Sequence, residues 1–301
     1  MRLIDNQMLK KRVITALWGI PLLIAVVWFG EPWFTTLIAI WGLLAVFEFY
    51  RLVAASKVPP LTYFGLIWSL LFILSRNSDL LSIFEPYFDP NLLTPFLLTS
   101  AIIISLVWLL RRRQRETAFV SWAWTIAGIL YVGWLLSYLV ALRNINPVNL
   151  EVGRNWVFFA LFTNFGSDTA AFFIVRAWGR HHLAPSIRPG KTWEGAIGGI
   201  LGASLVSLFF TLPKLFTLPN PLYLQDFSYC QAILLGLVVS IFGQLGDLAE
   251  SLLKRNMGVK DSGRLLPGHG GFLDRMDSIL FAGVVAYYYA LSYTAGWLNW
   301  L

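Results

Sequence analysis

Nine apolar runs, each near the length that carries a helix across a bilayer, constrain this chain's fold more than any other feature. They lie near 13–29, 33–50, 59–75, 93–110, 118–142, 156–178, 193–212, 229–250 and 278–299, the third being short. A bilayer core needs about 20 apolar residues per helix. It offers no water to backbone N–H and C=O groups, so a spanning segment of this composition must satisfy them internally. The expected class is therefore all-α, a polytopic integral membrane protein with about nine transmembrane helices. Composition agrees: 13% of residues are charged, against roughly 25% in soluble domains. Trp28, Trp33, Trp108, Trp122, Trp156, Trp178, Trp193 and Trp297 fall near run ends, where indole rings favour the headgroup level. Val13 onward is expected to be a retained helix, because no A-x-A cleavage pattern follows it. The single Cys230 leaves no internal disulfide framework.

The net charge of +7 is distributed as a topology signal rather than a nucleic-acid footprint. With the N-terminus inside, every Lys and Arg except Arg76, Arg143, Arg154 and Lys214 falls in a cytoplasmic segment. That is the positive-inside bias, and it puts the N-terminus and the polar loop at 251–277 in the cytoplasm. No internal repeat or low-complexity linker is evident. The organisation expected is one membrane domain over 1–301, with 1–150 mainly scaffold spans and 151–301 the half that carries chemistry.

Most of that chemistry lies in Ser251–Asp277, SLLKRNMGVKDSGRLLPGHGGFLDRMD. It gathers Lys254, Arg255, Lys260, Arg264 and Arg275 with Asp261, Asp274, Asp277 and His269 between two apolar runs. Hydrocarbon does not tolerate such a cluster, so it belongs at a membrane face or in a protein cavity. Just upstream, Asp247, Glu250, Ser251 and Lys254 recur at i, i+3, i+4 and i+7, one face of a helix. Farther upstream, Asp168 sits within the sixth run in FGSDTAAF. An intramembrane carboxylate marks a functional site, although Asp168 is equally read as a buried partner for Lys191. The loop 185–195, PSIRPGKTWEG, adds Arg188, Lys191, Thr192 and Glu194. Its GKT imitates the end of a phosphate-binding P-loop. That motif needs Gly where Pro185 stands and a strand before it, so the P-loop reading fails.

Together these residues resemble the phosphatidate cytidylyltransferases. The match rests on the order and spacing of Ser251, Lys254-Arg255, Lys260-Asp261, Pro267, His269-Gly270-Gly271, Asp274-Arg275 and Asp277. The loop at 185–195 resembles the family's S-P-x-K-T-x-E-G element, with Ser186 and Pro189 not adjacent here. The resemblance implies transfer of the cytidylyl group of CTP to phosphatidate, giving CDP-diacylglycerol and pyrophosphate. It also implies dependence on Mg²⁺, K⁺ as a further ion, and a homodimer.

On that reading Asp247 and Asp274 hold Mg²⁺, a hard cation that prefers oxygen ligands; for Asp277, ligation and helix capping stand even. Lys254, Arg255, Lys260, Arg264 and Arg275 clamp phosphates, or serve only orientation. His269 protonates or hydrogen-bonds a leaving phosphate, and Gly270 and Gly271 let backbone N–H groups approach phosphate oxygens. Ser251 steadies phosphate oxygens, while Arg188, Lys191, Thr192, Glu194 and Asp168 complete the substrate site. Two alternatives remain at this stage. A related CTP-dependent lipid enzyme, a polyprenol kinase or CDP-archaeol synthase, would share these parts. A transporter would use Asp168 and Asp247 along an ion path, but no inverted repeat supports one.

Overall fold

A computed structural model of the protein describes residues 17–86, 88–111, 116–146, 148–215, 217–263, 265 and 270–297. The described residues are 74% helical with almost no sheet. It divides into two compact units. The first takes the described residues up to Val140 together with those of Lys254–Met276, and the second takes those of Ala141–Leu253 and from Asp277 onward.

The first unit contains α1 (Leu17–Phe29), α2 (Trp33–Ala55), α3 (Thr62–Leu74), α4 (Ser78–Phe84), α5 (Pro90–Leu109) and most of α6 (Ala118–Arg143). Its interior is built from Phe34, Ile38, Ala45, Val46, Phe49, Tyr50 and Val53 of α2, with Phe72 of α3, Leu97 of α5 and Ile129 of α6. Tyr50 is wholly inside and donates to the Thr125 carbonyl at 2.6 Å, so its hydroxyl is not left unsatisfied in an apolar interior. Helix α6 changes to π-helical geometry over Ile129–Trp134. Just past the third apolar run stands Asn77. It accepts from Leu80 N at 2.9 Å to cap α4 and donates to Glu31 Oε2 at 2.8 Å. As a result α3 and α4 meet at 91°.

The second unit holds α7 (Leu150–Trp178), a hairpin of β1 (His182–Ala184) and β2 (Arg188–Thr192), and α8 (Trp193–Leu208), which continues as a 3₁₀ turn over Phe209–Thr211. After a short β3–β4 hairpin (Lys214–Leu215 with Leu218–Pro219) come α9 (Tyr229–Asn256) and α10 (Leu273–Thr294); the last turn of α9 and the first of α10 group with the first unit. The run AIGGILGAS lets α8 lie close against α7. A Cβ on Gly198 would come within 2.5 Å of Ile174 Cγ1, and one on Gly202 within 2.3 Å of Ala170 Cβ. Small residues at such a face let two helices approach where lipid supplies no hydrophobic drive. Trp156, Phe159, Phe210, Phe227, Tyr289 and Tyr293 form an aromatic cluster with centroid separations of 5.1–6.0 Å along its main contacts.

The expected count of nine spans is not confirmed. Among the described residues six helices (α2, α5, α6, α7, α8 and α9) are long and apolar enough to cross a membrane, and a seventh is available if α3 and α4 form one broken span. Helix α1 is short over its described residues, while the apolar character of α10 is diluted by Asp277, Tyr287, Tyr288, Tyr289, Ser292 and Tyr293. Outward-facing Leu92, Phe96, Ile103 and Val107 of α5 fit contact with lipid.

Candidate active site

Each unit contains a carboxylate tied to a lysine ammonium. In the second unit the β1–β2 hairpin delivers two cations. The register pairs His182 with Thr192 and Ala184 with Arg188. Thr192 then caps α8 by accepting from Gly195 N at 3.1 Å. The Glu194 carboxylate accepts from the backbone N–H groups of Arg180 and His181 at 3.2–3.3 Å and pairs with His181 Nδ1 at 2.5 Å. These contacts fix the hairpin's exit, so Thr192 and Glu194 shape the loop.

Asp247 of α9 lies between the two hairpin cations. Arg188 pairs with its Oδ1, and Lys191 Nζ donates to its Oδ2 at 3.0 Å and to the Gln244 carbonyl at 2.9 Å. The Asp247 side chain is 15% exposed, as against 14% for Lys191 and 46% for Arg188. Burial pushes the Lys191 ammonium down to about 8; Arg188 adds to that, and Asp168 and Asp277 oppose it. Three carboxylates therefore share the field around one ammonium. Beneath them a polar ladder holds α7, α8 and α9 in register: Ser167 Oγ meets Ser240 Oγ at 2.7 Å, and Gln244 Nε2 donates to Ser240 Oγ and the Ala196 carbonyl. Asn164 bonds Ser278 at 2.9 Å.

In the first unit the loop after α9 closes on Asp274. Helix α9 ends with Val259 N donating to the Lys254 carbonyl and Gly258 N to that of Arg255. Gly258, at φ +68°, supplies the left-handed residue that such an ending requires. Lys254 Nζ then reaches Asp274 Oδ1 at 2.6 Å. The same carboxylate accepts from Ser262 N at 3.0 Å and Gly271 N at 2.8 Å, and the Asp274 side chain is only 7% exposed. The Gly271 N–H is thus engaged by Asp274.

Residues 10–293 match the Cytidylyltransferase family. The chain belongs to that family. It is 33% identical to the phosphatidate cytidylyltransferase of Bacillus subtilis (strain 168) over 93% of this chain and 97% of the relative. It is 34% identical to phosphatidate cytidylyltransferase 5, chloroplastic, of Arabidopsis thaliana over 92% and 71%. It is 32% identical to the uncharacterized protein YnbB of Escherichia coli (strain K12) over 90% and 84%.

For a cytidylyltransferase of the membrane, the residues named from sequence sort clearly. Arg188, Lys191, Asp247, Asp168 and Asp277 are brought into one electrostatic neighbourhood. Asp277 also accepts from Ser278 N at 2.8 Å, in the second turn of α10. Lys254, Asp274 and Gly271 meet in the first unit, beside Gly270 at φ +85°. Ser251 is buried, whereas Arg255, Lys260 and Arg275 are exposed. Arg264 and His269 lie outside the described residues.

Glu48 was missed. It is 2% exposed within α2, inside a run read as scaffold. A lone carboxylate among apolar residues was the available signal.

The donor chemistry suits the Mg²⁺ that the family implies. The candidates are hard carboxylate oxygens, and in each unit an ammonium already sits where positive charge is favoured. Among the described residues no three His, Cys, Asp or Glu are arranged to hold a metal alone.

Proposed function

We propose that this protein transfers the cytidylyl group of CTP to phosphatidate, giving CDP-diacylglycerol and pyrophosphate. A phosphate oxygen of the lipid attacks the α-phosphorus of CTP. A P–O bond forms there, the bond to the oxygen bridging α and β breaks, and its electron pair leaves on pyrophosphate. A phosphate monoester is already anionic at neutral pH, so no strong base is needed to activate it. The harder task is to hold two polyanions together against their repulsion.

The observation that carries the reading is Asp247 held between Arg188 and Lys191. The carboxylate keeps both cations in place, Lys191 largely dry and Arg188 half-exposed, ready to engage phosphate oxygens at the point where charge develops. Lys254, kept by Asp274 in the first unit, is a third such cation. We propose Asp247, Asp274 and Asp277, each by its hard oxygen donors, as carboxylates available to Mg²⁺. Bound Mg²⁺ would neutralise the triphosphate and ease departure of pyrophosphate.

The protein purified in detergent, given labelled CTP, should form product with phosphatidate and not with polyprenol, and should release pyrophosphate. Accumulation of CDP with phosphorylation of a lipid alcohol would overturn this in favour of a kinase.

We also propose a cell-membrane location with the N-terminus and the loop at 251–277 cytoplasmic, supported by the distribution of cations. Exposed Lys260 is a suitable reporter of the loop's side. In a Cys230→Ser background, Lys260→Cys should be modified by an impermeant reagent only from the inner face. Modification from outside would reverse the orientation.

A further inference from the structure

We infer that Glu48 is a positioning residue for the 251–277 loop, setting Asp274 through Ser262. The inference rests on the cytidylyl-transfer reading and on Asp274 belonging to its site. Glu48 Oε2 accepts from Ser262 Oγ at 3.1 Å and from Leu273 N at 3.0 Å. Ser262 in turn contacts Asp274 twice, its N–H donating to the carboxylate at 3.0 Å and its Oγ accepting from Asp274 N at 3.3 Å. A side chain from an apolar helix, 214 residues away in sequence from Ser262, thus reaches both the loop and the first turn of α10.

The loop is shaped to admit it. A Cβ on Gly263 would meet Glu48 Oε1 at 2.1 Å, and one on Gly271 would meet Glu48 Oε2 at 2.3 Å and Ser262 Oγ at 2.1 Å. Glycine at both positions is what lets the backbone close around the carboxylate. Among the described residues Oε1 has no hydrogen-bond partner, while Oε2 accepts from both Ser262 and Leu273. Burying a carboxylate is costly. The donors that offset that cost lie in the loop before α10 and in its first turn, which carries Asp274.

The test compares Glu48→Ala, Glu48→Gln, Ser262→Ala and the Glu48→Ala/Ser262→Ala double variant as folded, membrane-inserted protein, with wild type and Asp274→Asn as controls. Glu48→Ala and Ser262→Ala should each lower kcat by about tenfold or more, with KM for CTP within about threefold, the pattern of a misplaced catalytic element. The double variant should match the lower single, because residues acting through one another are not additive. Glu48→Gln keeps one acceptor oxygen for both donors and should recover most of kcat. Turnover of Ser262→Ala within about threefold of wild type overturns the inference, even if Glu48→Ala does not fold. So does a double variant whose loss is the product of the two singles. Failure of wild type to make CDP-diacylglycerol would instead sink the functional reading, and an unimpaired Asp274→Asn would remove Asp274 from the site.

Discussion

Replacing Asp247 with Asn removes one negative charge from between Arg188 and Lys191 while keeping the side chain's shape. At 3.0 Å from Lys191 and an effective dielectric near 20, the gross attraction lost is about 5–6 kcal/mol. The net stability change is smaller. Asn still offers Lys191 an oxygen, Asp168 and Asp277 still favour its charge, and the half-exposed Arg188 is screened by water. A destabilisation of about 1–3 kcal/mol follows, leaving folded protein to assay. Turnover should fall much further, by about 10²–10³, the usual cost of losing one electrostatic contact made at the reacting centre. The assay is pyrophosphate release from CTP with phosphatidate in detergent, with kcat and KM measured separately. The unneutralised cations keep their grip on the triphosphate, so the loss should appear in kcat rather than as a raised KM for CTP. Near-wild-type turnover of Asp247→Asn would refute the reasoning.

Other outcomes follow from the same geometry. Lys254→Met should also cut turnover by about 10²–10³, whereas Asp261→Asn, in an exposed position, should stay within about threefold of wild type; rapid assay of both variants decides. Gly202→Val puts branched carbon where a Cβ already lies 2.3 Å from Ala170, and should cost about 1–3 kcal/mol or more, read as a lower unfolding temperature in detergent. For Lys191, a folded-state pKa of about 8 against the ordinary 10.5 means that the unfolded chain binds more protons between those values. Its contribution to stability therefore rises with pH across that window, and Lys191→Met should remove that part of the pH dependence of thermal unfolding.

The residues that revealed themselves in the sequence are those whose cost in a membrane is high and whose partners lie in short polar segments. Asp247, Lys191 and Arg188 were named from such costs and from motif spacing, and the fold brings all three together. The pairing itself was hidden. A hairpin at 182–192 and a helix at 229–256 are joined by tertiary packing, and the glycine-lined contact of α7 with α8 gives no local signal of which carboxylate each cation will meet. Hydropathy found the long helices, but its count of nine spans is not confirmed, for two physical reasons. Just past the third run Asn77 caps a new helix at 91° to the old one, and the run itself leaves a helix of 13 residues. Four tyrosines dilute the last helix without making it any less helical.

Glu48 shows the deeper limit. A positive-inside count gives no weight to a carboxylate, and the surrounding segment WGLLAVFEFYRL reads as an ordinary span. Its meaning emerges only when residues 254–276 are found grouped with the N-terminal helices and the loop's own glycines are seen to make room for a side chain from α2. The division into scaffold and catalytic halves follows chain order. The carboxylate at Glu48 follows the loop instead, because an ion buried in apolar surroundings is tolerated only where donors converge on it, and here those donors come from Ser262 and Leu273.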